Sequence, residues 1–98
     1  MHIKICATIL EKLIQKHGVT EKEVQECFLN RDGCYLKDTR EKNQTIPATL
    51  WFIAETNRGR RLKICFVPGG PGNPDGPVLK TAYEPNSIED AIYQKYGY

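Results

Sequence analysis

No stretch of the 98 residues is apolar for long enough to cross a bilayer: the longest charge-free apolar run is Ala48–Ala54, against the ~20 residues that a spanning helix needs. The opening Met1-His2-Ile3-Lys4 also lacks the apolar run of a secretory signal, so a cytoplasmic location is expected. Histidine is scarce, and His2 and His17 stand apart from the cysteines. Those cysteines, Cys6, Cys27, Cys34 and Cys65, contain no C-x-x-C pair. The common zinc spacings are therefore missing, and neither a metal nor an organic cofactor is expected. A disulfide framework fits the even count but not the missing export signal. There is no strong excess of one charge either: 14 Lys and Arg against 12 Asp and Glu leave +2. Finally, the chain is short. Ninety-eight residues suffice for one domain with a small core, and they exclude a multi-domain enzyme or a TIM barrel.

What is present is a succession of well-marked elements. Ile9, Leu10, Leu13 and Ile14 make the stripe of an amphipathic helix over Ala7–Lys16. Thr8 with Glu11 offers it a capping box, and Gly18 a stop. Thr20-x-x-Glu23 opens a second helix with Val24, Cys27 and Phe28 inward, ending near Asn30. Cys34–Lys37 is a short candidate strand, and Asp38–Gln44 reads as a loop. Thr49–Thr56 and Arg60–Val67 are rich in β-formers around the turn Asn57-Arg58-Gly59. Pro68–Pro77 is an irregular Pro- and Gly-rich loop, and Val78–Tyr83 a further strand. Ser87, with Asp90 three residues on, is the expected cap of a last helix whose inward face is Ile88, Ala91, Ile92 and Tyr96. The order predicts an α+β domain spanning residues 1–98: two N-terminal helices, a small mostly antiparallel sheet of three to four strands, and a C-terminal helix.

The hairpin register follows from side-chain alternation. A three-residue turn with Gly59 at positive φ puts Glu55 opposite Arg61, Ile53 opposite Lys63 and Leu50 opposite Phe66. One face is then Leu50, Phe52, Ala54, Leu62, Ile64 and Phe66, all apolar. The other carries Trp51, Ile53, Glu55, Arg61, Lys63 and Cys65. A slip of one residue would mix the two. The second face is expected to be partly open, with cations beside an aromatic ring. Arg58, Arg60, Arg61 and Lys63 form a run of positive charge that no acid interrupts. Such a run suits phosphate contact, and it equally suits a solvated turn.

Several short motifs occur together. Lys16-His17-Gly18-Val19 leads into the second helix, Asp38-x-Arg40 follows, Thr56-Asn57-x-Gly59-Arg60 makes the hairpin tip, and Lys80-Thr81-Ala82-Tyr83 precedes the last helix. In this order they resemble the BrnT family of bacterial toxins, within the RelE-like ribonucleases. The resemblance implies a RelE-like fold and a metal-independent endoribonuclease that restrains growth. It also implies an antitoxin of the ribbon-helix-helix type as partner, with a homo- or hetero-oligomer possible in the toxin–antitoxin complex. The Glu84-Pro85 that follows Tyr83, and the length of the Pro68–Pro77 loop, depart from the pattern.

Metal-free RNA cleavage needs a base for the 2′-OH, cations for the charge that builds on phosphorus, and an acid for the leaving 5′ oxygen. Arg61 and Lys63 are the candidates for holding the phosphate, His17 for moving a proton, and Lys80 and Tyr83 for charge stabilisation and proton transfer. Trp51, Arg58 and Arg60 are the candidate RNA-binding residues, Trp51 by stacking. Lys80 and Tyr83 have opposite parity on a regular strand, so both serve one site only if a bulge or the strand end intervenes. Each residue also has a plain structural role open to it: a cross-strand pair for Arg61 with Glu55, a helix end for His17, an amphipathic packing position for Tyr83. The rival function is a catalytically inactive RelE-like module that binds RNA or a protein.

Overall fold

The computed structural model describes residues 3–39, 48–69 and 76–98. Arg40, most of the charged Asp38–Gln44 loop and the centre of the Pro68–Pro77 loop lie outside them. Three helices and a four-stranded sheet result, in the order α1 (Ala7–Lys12), α2 (Glu21–Leu29), β1 (Leu36–Lys37), β2 (Leu50–Glu55), β3 (Arg61–Val67), β4 (Val78–Tyr83) and α3 (Ser87–Tyr96). The strands lie in sequence order and every neighbouring pair is antiparallel. A single parallel bridge, Lys4 with Val78, adds the segment before α1 to the outer side of β4.

The hairpin has the register that alternation demands, from Leu50 opposite Phe66 to Glu55 opposite Arg61. Its turn closes with the Thr56 N–H donating to the Arg60 carbonyl, and Gly59 takes φ 83°. The all-apolar face packs on α2. Phe28 meets the rings of Phe52 and Phe66 edge-on, at 4.9 and 5.2 Å, and Leu13, Val19, Val24 and Cys27 complete that core. α2 begins as expected, with Thr20 and Glu23 forming a reciprocal capping box.

Two helices differ from expectation. The first starts one residue after Cys6, without a side-chain cap from Thr8, and stops being α-helical at Lys12. Leu13–His17 continue it as a π-helical turn that ends at Gly18, φ 60°. The wider turn lets Leu13 stay buried while Ile14, on the expected inward stripe, is exposed.

The last helix is capped by Asn86 and Glu89, not by Ser87 and Asp90. The shift of one position rotates its inward face. Glu89, Asp90 and Tyr93 point at the sheet, whereas Ile88, Ile92 and Tyr96 face outward. Tyr93 is fully buried, with its ring 5.7 Å from that of Trp51 and its hydroxyl donating to the Cys34 carbonyl at 2.8 Å. The second sheet face, expected to be partly open, is covered at its centre and open at the hairpin end: Trp51 is 8% exposed, Ile53 1%, Lys63 5% and Cys65 3%, whereas Glu55 is exposed and Arg61 half-buried. The reason is that two ion pairs and one tyrosine outweigh a stripe of apolar residues in deciding which side of α3 turns inward. Removing only the Tyr93 hydroxyl (Tyr93→Phe) should cost about 1–2 kcal/mol, because it orphans the Cys34 carbonyl. Removing the ring (Tyr93→Ala) should cost about 3–5 kcal/mol, and Thr20→Ala about 1 kcal/mol. Urea unfolding midpoints check all three.

Candidate functional site

The expected site residues fall into three groups. The first gathers at the start of α3. Lys63 projects from β3 and Tyr83 from the paired position on β4. The Lys63 ammonium and the Tyr83 hydroxyl both donate to Glu89 Oε2, each at 2.7 Å. The other oxygen, Oε1, accepts from the Asn86 N–H at 3.0 Å and so closes the helix cap. The ammonium also lies 4.6 Å above the Trp51 ring, a favourable cation–π arrangement. Burial alone would raise the pKa of Glu89, but the Lys63 ammonium, the Asn86 N–H and the Tyr83 hydroxyl together hold it below the usual 4.5. Burial opposes the charge on Lys63, and the bond to Glu89 more than restores it, raising its pKa. Burial and then the Glu89 carboxylate raise the pKa of Tyr83. Around neutral pH the group is therefore a charged pair with a protonated phenol.

His17 reaches this group from the end of the π turn, its ring centroid 5.7 Å from that of Tyr83. Arg60 holds that helix end in place. Its guanidinium donates to the His17 and Gly18 carbonyls, both at 2.8 Å, and pairs with Glu23 at 3.2 Å and Glu84 at 3.6 Å. Arg60 thus clamps the first helix, the cap of α2 and the segment after β4.

The second group is displaced from the first. Arg61 is not paired with Glu55 but with Asp90 of α3, at 2.6 Å. Arg58 sits in the hairpin turn and lines a shallow depression with Arg60, Thr20, Glu23 and Glu26. Trp51 packs against Lys63 and Tyr93 and also lines a cavity of about 460 Å³ with Lys63, Glu89, Ile92 and Tyr96.

The third group is a cleft of about 270 Å³ between the first helix and β4, lined by Ile9, Lys12, Leu13, Lys16, His17, Lys80 and Thr81. The strand register shifts between Cys65 and Phe66: Cys65 pairs with Thr81 and Phe66 with Leu79, so Lys80 is the extra residue of a β-bulge. The bulge lies between Lys80 and the regular pairing of Tyr83, yet the two side chains belong to different groups, Tyr83 with Lys63 and Glu89 and Lys80 in the cleft. His17 is thus shared, touching Tyr83 on one side and the lysine cleft on the other.

Sequence reasoning missed Glu89, Asp90, Lys12 and Lys16. For Glu89 a signal existed, since Asn86-x-x-Glu89 is as good a capping box as the one chosen. For Lys16 its place in Lys16-His17-Gly18-Val19 was a signal, and for Asp90 and Lys12 none was local. Among the described residues, no three His, Cys, Asp or Glu side chains gather as a metal-binding group, and all four cysteines are free thiols. No family model, no curated protein and no solved structure matches the chain.

The Glu89 cluster has a defined acid response. A carboxylate whose pKa is lowered by folding adds stability above its unfolded value, and that stability is lost as pH falls through the folded value. Unfolding midpoints should therefore decline from about pH 4.5 downward, near the ordinary glutamate value. Glu89→Gln should lower the midpoint at pH 7 and flatten that decline, as followed by urea titration across pH 3–7.

Proposed function

We propose that the chain is a RelE-like, BrnT-like endoribonuclease that needs no metal ion. The observation that carries this reading is the meeting of His17 and Tyr83, two proton-carrying side chains 66 positions apart in sequence, beside a cleft of lysines. In the reaction, His17 takes the proton of the ribose 2′-OH, which attacks the adjacent phosphorus. Lys80 and Lys16 offset the charge on the phosphoryl oxygens. Tyr83, kept protonated by Glu89, supplies the proton to the departing 5′ oxygen. The products are a 2′,3′-cyclic phosphate and a 5′-hydroxyl. Lys63 acts indirectly, by fixing the carboxylate that orients Tyr83. A ribbon-helix-helix antitoxin is the partner this reading calls for, and the exposed Ile88, Ile92 and Tyr96 on α3 are the apolar surface it would meet. Tyr93, fully inside, takes no part in that contact.

A second reading is favoured by a specific observation. Arg61 and Lys63, the cations expected to grip the phosphate, are both committed to carboxylates under α3. A module that binds RNA without cutting it would keep such an arrangement.

The two readings separate in one assay. Purified protein incubated with RNA in excess EDTA should release fragments ending in 2′,3′-cyclic phosphate. His17→Ala and Tyr83→Phe should each slow the cut by about 10²–10⁴-fold, the range of general acid–base catalysis. Binding without fragments would establish the inactive module instead.

A further inference from the structure

The charged side chains of this molecule divide sharply. Arg60, Arg61 and Lys63 each lie within 4 Å of a carboxylate. The cleft between the first helix and β4 is different: among the described residues, three lysines and a histidine line it, and no carboxylate does. The acids closest in sequence are turned elsewhere, Glu11 accepting from Gln15 and Glu84 facing Arg60. Like charges on one small surface repel, so leaving them uncompensated is unfavourable for the protein alone. An anion removes that disadvantage.

The backbone points the same way. Both walls of the cleft are the irregular parts of their elements. On one side, the helix widens into the π turn Leu13–His17, which carries Lys16 and His17. On the other, β4 breaks its ladder at the bulge residue Lys80. Such a widened turn or inserted residue sacrifices regular hydrogen bonding and re-aims a side chain, which is why both recur at binding sites. Here the two irregularities face each other. Together they put Lys80 and Thr81, adjacent on the strand, into the same cleft as Lys16 and His17. Ile9 and Leu13 form an apolar floor along which the aliphatic stems of the lysines can lie while their ammonium groups stay wet.

We infer that this cleft seats phosphate groups of a single-stranded RNA backbone, through Lys12, Lys16 and Lys80 with the Thr81 hydroxyl beside them, and that RNA approaches the fold over the edge of β4 and not over the face covered by α3. A volume of about 270 Å³ accommodates one phosphate with its ribose. Lysine suits the task because it presents a mobile point charge to a backbone whose oxygens rotate, and it reads no base. The inference takes from the proposed function only the identity of the polyanion; it does not require cleavage.

The test uses a fluorescent single-stranded RNA fully 2′-O-methylated, which cannot be cut by 2′-OH attack, so binding is measured whether or not the protein is a nuclease. Anisotropy titrations from 50 to 300 mM salt should give a log–log line falling with salt. Each phosphate contact on a single strand contributes about 0.7 to its slope, so Lys16→Ala/Lys80→Ala should reduce the slope by about 1.4 and weaken binding about tenfold. Lys95→Ala, on the far side of α3, should leave both unchanged. All three lysines of these variants are partly or fully at the surface and make no ion pair among the described residues, so thermal unfolding should be unaltered. Three results overturn the inference: a double variant that keeps the wild-type slope, an affinity for RNA that ignores salt, or retention on phosphatidylserine vesicles in place of RNA. If the slope falls as expected while natural RNA stays intact in EDTA, the cleft stands and the nuclease reading fails. If RNA is cut while the double variant binds and cuts as wild type, the cleft falls together with the roles given above to Lys16 and Lys80, and the nuclease reading stands on His17 and Tyr83 alone.

Discussion

The carboxylate of Glu89 does three jobs with two oxygens. It closes the first turn of α3, it neutralises a lysine that folding buries, and it holds a phenol on β4 in its protonated form. These are not separable. A buried ammonium without its partner is strongly unfavourable, so the cap of α3 and the burial of Lys63 exist together or not at all. Because Glu89 and Asp90 both pair with β3, the helix is pinned along its first turn, and Tyr93 one turn later falls over Trp51. The second layer of the molecule follows from that pinning.

The same pairing sorts the cations into those that build the fold and those that are left over. Arg60 ties three segments through two carbonyls and two carboxylates, and Arg61 and Lys63 fix α3. By sequence these three belong to one basic run with Arg58, yet their side chains are consumed in three different structural tasks. The lysines of the cleft, which meet no carboxylate among the described residues, come from α1, the π turn and the bulge, which no continuous motif links. Local charge density in a sequence is thus a poor guide to where a charged surface lies.

How much could be read beforehand depends on whether a feature is set locally. The hairpin register was legible because only one register keeps Leu50, Phe52, Ala54, Leu62, Ile64 and Phe66 on a common face, and that is the one observed. The capping box at Thr20 and the stop at Gly18 were legible because each involves residues within one turn. The orientation of α3 was not. Its apolar stripe Ile88–Ile92–Tyr96 has the right period for a buried face, and nothing nearby indicates that Glu89 and Asp90 have partners some 26 and 29 positions earlier. The candidate site shows the same division. The opposite parity of Lys80 and Tyr83 follows from strand geometry, whereas the pairing of Lys63 with Tyr83 rests on the β3–β4 register and the approach of His17 to Tyr83 on a clamp by Arg60 that spans the chain.

Tyr93 is enclosed by backbone as much as by side chains. A methyl group on Gly97 would come within 2.6 Å of its ring, and one on Gly33 would strike its hydroxyl. Neither glycine is there for an unusual dihedral angle, since neither has a positive φ. They are there to make room. The tyrosine and the two glycines therefore form one steric unit drawn from the end of the chain and the segment after α2. In any descendant sequence that keeps this architecture, the three positions should change in concert: a smaller residue at 93 frees 33 and 97 to gain side chains, and a side chain at either glycine forbids the tyrosine. Such correlated substitution would trace the seating of α3 across evolutionary distance even where its ion pairs have been replaced.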